Sequence, residues 1–516
     1  MNDSYLVGFV QSVAGRLTIC LVYLVLTLVY VLTLSPTGGG YLLTFAAVVG
    51  GYMAINIGAN DVANNVGPAV GSNALTLGAA IVLAAICEAA GALIAGGEVV
   101  GTIKSGIIKP ELVQNSETFV WLMTGALIAG ALWLNFATWL GAPVSTTHSI
   151  VGGVLGAGLA AGGMSIANWS KLGAIAASWV VSPLMGGLIA AALLMLIKKT
   201  ILYRENVKHA AIIFMPWLVA LMAWVFATYL LLKGMGNIWK VDPIWAYVYG
   251  LGVAVVVYFL SRRQMLRAAQ TMSNDRGEVN NLFTIPLIFA AGLLSFAHGA
   301  NDVANAIGPL AAINDALNNG TISTKSSIPL WIMFLGAMGL VIGLATFGPK
   351  LIRTVGGEIT ELDKSRTYCI AMSAAFTVII ASQLGLPVSS THIALGGVFG
   401  VGFLREYLKT RYATKLHRIL ARHEGEERQQ LRKFLKNFQN ADVEEMRAMI
   451  SRAKKFPEEV PLKKKDRKRL KKIYRQELVK RKHLYRIAAA WVITVPASAV
   501  LGALMFYMLR GMLLPT

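Results

Sequence analysis

Two groups of polar side chains interrupt an otherwise apolar sequence, and each group occurs twice. The first reads Gly58-Ala59-Asn60-Asp61-Val62-Ala63-Asn64 and returns as Gly299-Ala300-Asn301-Asp302-Val303-Ala304-Asn305. Asn60, Asp61 and Asn64, like Asn301, Asp302 and Asn305, set a carboxylate and two amide carbonyls at i, i+1 and i+4. That is a hard-oxygen set suited to a small cation. The second group, Pro143-Val144-Ser145-Thr146-Thr147-His148, returns as Pro387-Val388-Ser389-Ser390-Thr391-His392. Proline favours the first turn of a helix, so both prolines predict helix starts with free N–H groups and a positive dipole end. With the hydroxyls of Ser145, Thr146, Thr147, Ser389, Ser390 and Thr391, such ends would hold an oxyanion without Lys or Arg. Gly141 follows Gly58 by 83 residues and Gly385 follows Gly299 by 86, so the whole unit is duplicated.

An Asn/Asp cluster can also cap a broken helix. An Asp at membrane depth costs at least a few kcal/mol, however, and matched copies favour a functional reading. His148 and His392 invite comparison with a hydrolase, but a symmetric duplicated pair does not resemble a triad. They are expected to bond neighbouring carbonyls, and neither a catalytic residue nor an enzyme is predicted. Glu88 is an intramembrane acid without a partner acid in the second half, suited to a proton-linked or structural role. Lys104 and Lys350 either draw anions toward vestibules or snorkel to the interface.

These groups need elements that hold them inside a bilayer. The chain has 516 residues, 55% hydrophobic and 14% charged, and its apolar runs approach the roughly 20 residues that span a membrane. The expected fold is all-α: a polytopic membrane protein of about 12 transmembrane helices, with broken or re-entrant helices at the midplane. The predicted organisation is an N-terminal transmembrane helix (1–41), a first repeat (42–197) and bridging helices with basic loops (198–281). A second repeat (282–404), a basic helical insert (405–486) and a C-terminal transmembrane helix (487–516) complete it. About seven apolar runs separate the two Asn-Asp motifs, an odd number, which predicts inverted topology for the repeats. Cys20, Cys87 and Cys369 lie in apolar runs and read as packing residues.

The net charge of +21 is concentrated: 27 of the 47 Lys and Arg, against 11 acidic residues, fall between Arg405 and Arg486. The positive-inside rule places this insert, and the loops around Lys198 and Arg262, in the cytoplasm of a plasma (inner) membrane protein. Lys463-Lys464-Lys465-Asp466-Arg467-Lys468-Arg469 resembles a site for anionic lipid, and nucleic acid is not an expected partner. A homodimer is compatible with the sequence.

An Asp beside an anion site repels a fully ionised anion but accepts a hydrogen bond from a protonated one. Phosphate carries such a proton at neutral pH and sulfate does not. A cation between the Asp and the anion would remove the remaining repulsion and couple the two ligands.

The four motifs, in this order in both halves, resemble those of the inorganic phosphate transporter (PiT) family over about residues 42–161 and 282–404. The resemblance implies phosphate symport with sodium or protons and no cofactor. It places phosphate on Ser145, Thr146, Thr147, Ser389, Ser390 and Thr391, and gives Asn60, Asp61, Asn64, Asn301, Asp302 and Asn305 to cation and phosphate together. Gly71-Ser72-Asn73 after the first motif resembles the sodium-coupled members. Ser390 stands where the first half has Thr146, and Ala306 where it has Asn65, so the halves are chemically unequal. A passive anion channel is the rival reading, and arsenate, similar in size and protonation, would be carried too.

Overall fold

Long runs of Leu, Val, Ala and Gly satisfy their backbone polar groups only as helices in a medium without water, and helices are what forms. A computed structural model describes residues 12–34, 40–140, 144–234, 241–319, 328–358, 363–420 and 482–513, with single residues and one short helical piece between 429 and 453. The polybasic stretch 463–469 lies outside the described residues. Among them there is no β-strand, only an isolated bridge between Ile108 and Ala167. Among the described residues, eleven helices are long and apolar enough to cross a membrane. Their burial varies with place: α1 (Val13–Leu34) is 17% buried in its most apolar window, whereas α14 (Lys364–Gln383) is 83% buried. The first is peripheral and the second is core.

The first Asn-Asp motif lies where α2 (Gly40–Asn60) gives way to α3 (Val62–Gly71). The joint is Asp61, whose carbonyl accepts a tight i to i+3 bond from the Asn64 N–H at 3.0 Å. The second motif lies inside one unbroken helix, α12 (Thr284–Asn319). Each motif is crossed by a neighbour at van der Waals distance. Gly58 sits beneath the Leu340 carbonyl of α13 (Leu330–Glu358), and Gly299 beneath the Glu88 carbonyl of α4 (Leu77–Ala95). A Cβ at either glycine would collide with that backbone, so the small residue sets the approach.

Each Ser/Thr motif forms the tip of a helical hairpin. In the first, α6 (Ser116–Trp139) and α7 (Thr146–Gly162) run antiparallel, with Gly130 against Ile150 and Gly153 against Ala126. In the second, α15 (Ser390–Leu420) folds back on α14 so that Gly397 packs on Ile370 and Ser373. One long helix gauges both, α8 (Trp169–Ile197), which continues as a π turn over Lys198–Leu202. The Asn168 N–H, just before α8, donates to the Ile107 carbonyl beside the base of the first hairpin. Trp179 touches the tips, Gly186 and Gly187 pack on Ile393 and Gly396, and Lys198 comes within Coulombic reach of Arg366 and Arg405 at the base of the second. Its 29 residues span about 43 Å at 1.5 Å each, so the hairpins approach each other from opposite ends of α8. The last helix, α16 (Lys482–Leu513), lies along the first hairpin in the same way, with Gly152 against Val495 and Gly156 against Ala499.

The structure changes one local expectation. Pro387 does not open the helix: it sits in a linker after Gly385, whose φ of 62° suits glycine, and α15 starts three residues later. Ser389 supplies the cap, its Oγ accepting the His392 N–H at 3.3 Å, and Ser145 does the same for the His148 N–H at 3.2 Å. A serine in extended conformation satisfies an orphan N–H that proline at N1 would leave exposed. Pro143 lies outside the described residues.

Candidate functional site

The two hairpin tips and the two Asn-Asp motifs meet in one buried polar cluster. Asp61 Oδ2 accepts the Thr146 hydroxyl at 2.8 Å, and Asp302 Oδ2 accepts that of Ser390 at 2.9 Å. Asn64 Nδ2 donates to Thr391 Oγ1 of the opposite half at 2.9 Å, and Asn305 Nδ2 donates to Thr147 Oγ1 at 3.1 Å, again across the halves. These are symmetry mates. Thr391 also donates to Asp61 Oδ1 at 3.4 Å, so each half reaches into the other. The tips touch directly, through Thr147 Oγ1 donating to the Val388 carbonyl at 3.0 Å and through the His148 and His392 rings, 5.0 Å apart.

Two carboxylates and at least four hydroxyls thus converge on the starts of two helices, whose first N–H groups have no partner within the helix. Asp61, Asp302, Ser145, Thr146, Thr147, Ser389, Ser390 and Thr391 are all buried, as are Asn301 and Asn305. Asn60 and Asn64 are half-buried, which leaves the first-half side of the cluster nearer to solvent. Ligand atoms of Asp61, Asp302 and His298 all fall within 4.8 Å of one another, close enough to share one cation.

The predicted ligands do not all play the same part. Asn301 holds the second tip: its Nδ2 donates to Ser382 Oγ at 2.9 Å and to the Leu386 carbonyl at 3.3 Å, while its Oδ1 accepts the Val388 N–H. Thr102 of α5 (Gly97–Ser105) donates to the Gly385 carbonyl at 2.6 Å, and the Trp179 indole donates to that of Pro387 at 3.0 Å. The second tip is therefore gripped from three further helices. Lys104 is neither a vestibule cation nor a snorkelling one: it is buried and paired with Asp315. Lys350 is exposed. Cys20 and Cys369 are buried, Cys87 is half-buried, and none forms a disulfide.

His298, outside the predicted ligand set, also enters the cluster. Its Nε2 lies 2.7 Å from Asp302 Oδ2 and its Nδ1 2.7 Å from Glu88 Oε2. Glu88 Oε1 accepts from Asn65 Nδ2 at 2.9 Å. A buried chain of contacts runs from Asn65 through Glu88 and His298 to Asp302, hydrogen-bonded as far as His298 Nδ1 and completed by the close approach of its Nε2 to Asp302. The signal was present: a histidine four residues before the motif Asp, where the first half has Ile57. The unmatched Glu88 and the Asn65/Ala306 inequality belong to that same chain.

A model of the phosphate transporter family matches residues 57–502. The chain belongs to the phosphate transporter family. Among members of that family, a chain of Helicobacter pylori named "Putative phosphate permease" is 54% identical over 90% of both chains. One of the same name from Chlamydia trachomatis is 40% identical over 71% of this chain and 90% of its own length. A solved structure titled "The sodium-dependent phosphate transporter" is 31% identical, with a TM-score of 0.74, over 92% of this chain and all of its own. The family is one of transporters and not of enzymes, and the apolar helices make this member an integral membrane protein.

Proposed function

We propose that the chain imports inorganic phosphate by symport with a cation, sodium in the first instance, across the plasma membrane. The carrying observation is the pairing of each motif carboxylate with a hydroxyl at a helix start, Asp61 with Thr146 and Asp302 with Ser390. Phosphate would take the place of those internal bonds. Its oxyanions would meet the helix N-termini and hydroxyls, and its remaining proton would meet a carboxylate. Sodium would sit among Asp61, Asp302 and the amide oxygens of Asn60, Asn64 and Asn305, neutralising the approach of an anion to an acid. The relative titled as sodium-dependent supports this choice of ion. Two repeats inserted from opposite faces, with hairpins entering and leaving on one side, would give alternating access around the fixed cluster. The basic insert would then lie in the cytoplasm.

A proton-coupled reading has one observation of its own, the buried chain Glu88–His298–Asp302, which joins groups able to hold a proton to the cluster. Uptake of labelled phosphate into proteoliposomes separates the two. Accumulation driven by an imposed sodium gradient at equal pH supports sodium symport. Accumulation driven only by a proton gradient at zero sodium transfers coupling to that chain, and equilibration without accumulation under either gradient means a channel.

A further inference from the structure

One side chain outside the four motifs, Trp179 of α8, touches both hairpin tips. Its ring lies against that of His148 on the first tip, with centroids 3.9 Å apart, and its Nε1–H donates to the Pro387 carbonyl of the second at 3.0 Å. The tips also meet each other directly, through the Thr147–Val388 bond and the His148 and His392 rings. Parting them requires that Trp179 let go of one. Four residues on, Pro183 interrupts α8. It has no N–H to offer the Trp179 carbonyl, the acceptor that residue 183 of a regular helix would bond, so α8 bends most easily at the residue that holds the tips. Ser182, three positions after Trp179, is buried, and its hydroxyl has no hydrogen-bond partner among the described residues. Serine can satisfy a carbonyl that proline frees in a membrane helix, so a second bend has a donor in reserve.

The two sides of Pro183 belong to different parts of the molecule. Ile175 and Trp179 pack in the apolar core that holds Ile150 and Val154 of the first hairpin. Ala190 and Leu194 pack in the core that holds Ile393 and Val401 of the second. From the proline onward the contact is backbone on backbone: a Cβ at Gly396 would strike the Pro183 carbonyl, and one at Gly400 the Gly187 carbonyl. That seam ties the C-terminal half of α8 to α15, and the proline separates it from the half that carries Trp179.

We infer that Trp179 is a positioning residue for transport, a latch that holds the two tips together over the cluster, and that α8 bends at Pro183 to release them. The latch rests on the reading of the cluster as an alternating-access site, in which the tips part to admit or discharge phosphate. Its own test does not need uptake. The buried N–H groups at the starts of α7 and α15 lack acceptors within their helices, so their hydrogen exchange reports the parting of the tips.

The experiment follows hydrogen exchange by mass spectrometry in full-length parent, Trp179→Phe and Pro183→Ala proteins, beside initial rates of phosphate uptake into proteoliposomes. Phenylalanine keeps an aromatic face for His148 and loses the bond to Pro387. Alanine at 183 restores the helix bond to the Trp179 carbonyl. Unchanged exchange across α12 shows that each variant is folded. Trp179→Phe should exchange about three- to tenfold faster at both tips, the scale of a lost neutral hydrogen bond, and raise the KM for phosphate by a similar factor with kcat within about twofold. Pro183→Ala should act in the opposite sense, slowing exchange at both tips and lowering kcat about tenfold, with KM unchanged and the Tm no lower. A residue that only packs would loosen its own surroundings. Faster exchange at the second tip alone, or no change at either tip, in folded Trp179→Phe would overturn the latch, as would a Pro183→Ala protein that exchanges and transports as the parent does. No uptake by the parent, with both tips loosened in Trp179→Phe, would remove the transport reading and leave the latch standing.

Discussion

The two copies of the Asn-Asp motif share a sequence and differ in mechanical circumstance. Asp302 sits in an unbroken helix with three partners, Ser390, His298 and Asn305, and His298 is itself fixed by Glu88. Asp61 sits at the joint between two helices, and its side chain is held by two hydroxyls, those of Thr146 and Thr391. Duplication supplied matching ligands, and the surroundings then divided the labour. The second half carries a carboxylate held by three neighbours within a continuous helix, and the first half one held by two hydroxyls at a helix joint. The half-buried Asn60 and Asn64 lie beside that joint.

The comparison breaks most visibly at the carboxylates. Asp61→Asn and Asp302→Asn should each lower phosphate uptake in proteoliposomes by about a hundredfold or more, since only an ionised carboxylate both binds a cation and accepts a phosphate proton. They should part company in thermal unfolding, where Asp302→Asn lowers the Tm by several degrees and Asp61→Asn leaves it nearly unchanged. Equal melting would dissolve the distinction. Next in size come Glu88→Gln and His298→Gln, expected to cost about tenfold in uptake by releasing Asp302, the scale of a lost charged hydrogen bond. Double substitution should cost little more than either alone, because both act through one chain.

Smaller effects sharpen the picture. Thr391→Val and Thr147→Val each remove a hydroxyl that joins the halves, and a net neutral hydrogen bond predicts three- to tenfold losses. Thr391→Val should be the larger, because Thr391 also serves Asp61, and an apparent affinity for sodium measured beside that for phosphate would reveal it. His148→Gln should change uptake by no more than about twofold, and His392→Gln likewise. A severe loss in one histidine variant with none in the other would revive a catalytic reading.

Much of this was legible in the residues. Repetition of GAND and PVS(S/T)TH announced the doubled site, and apolar run lengths gave a helical membrane protein with close to the observed number of spans. Three things were not legible, for physical reasons. Helix starts depend on local capping geometry, so Pro387 drew attention from Ser389, which does the capping. Hydrogen bonds between halves are set by close helix crossings at Gly58 and Gly299, and spacing along the chain carries no trace of them. His298 is a single polar residue in an apolar run, and it acquires meaning only from Glu88, 210 positions away in the chain and hydrogen-bonded to its ring.

The crossed bonds Asn64–Thr391 and Asn305–Thr147 bear on ancestry. A chain with one repeat would possess half of every pair, and its site would be complete only when two identical copies met about a two-fold axis. Such a dimer could hold nothing but matched residues. Ile57 in the place of His298, Leu340 in the place of Glu88 and Ala306 in the place of Asn65 are therefore changes that became open to selection only after the two copies were joined in one polypeptide, when each half could mutate alone.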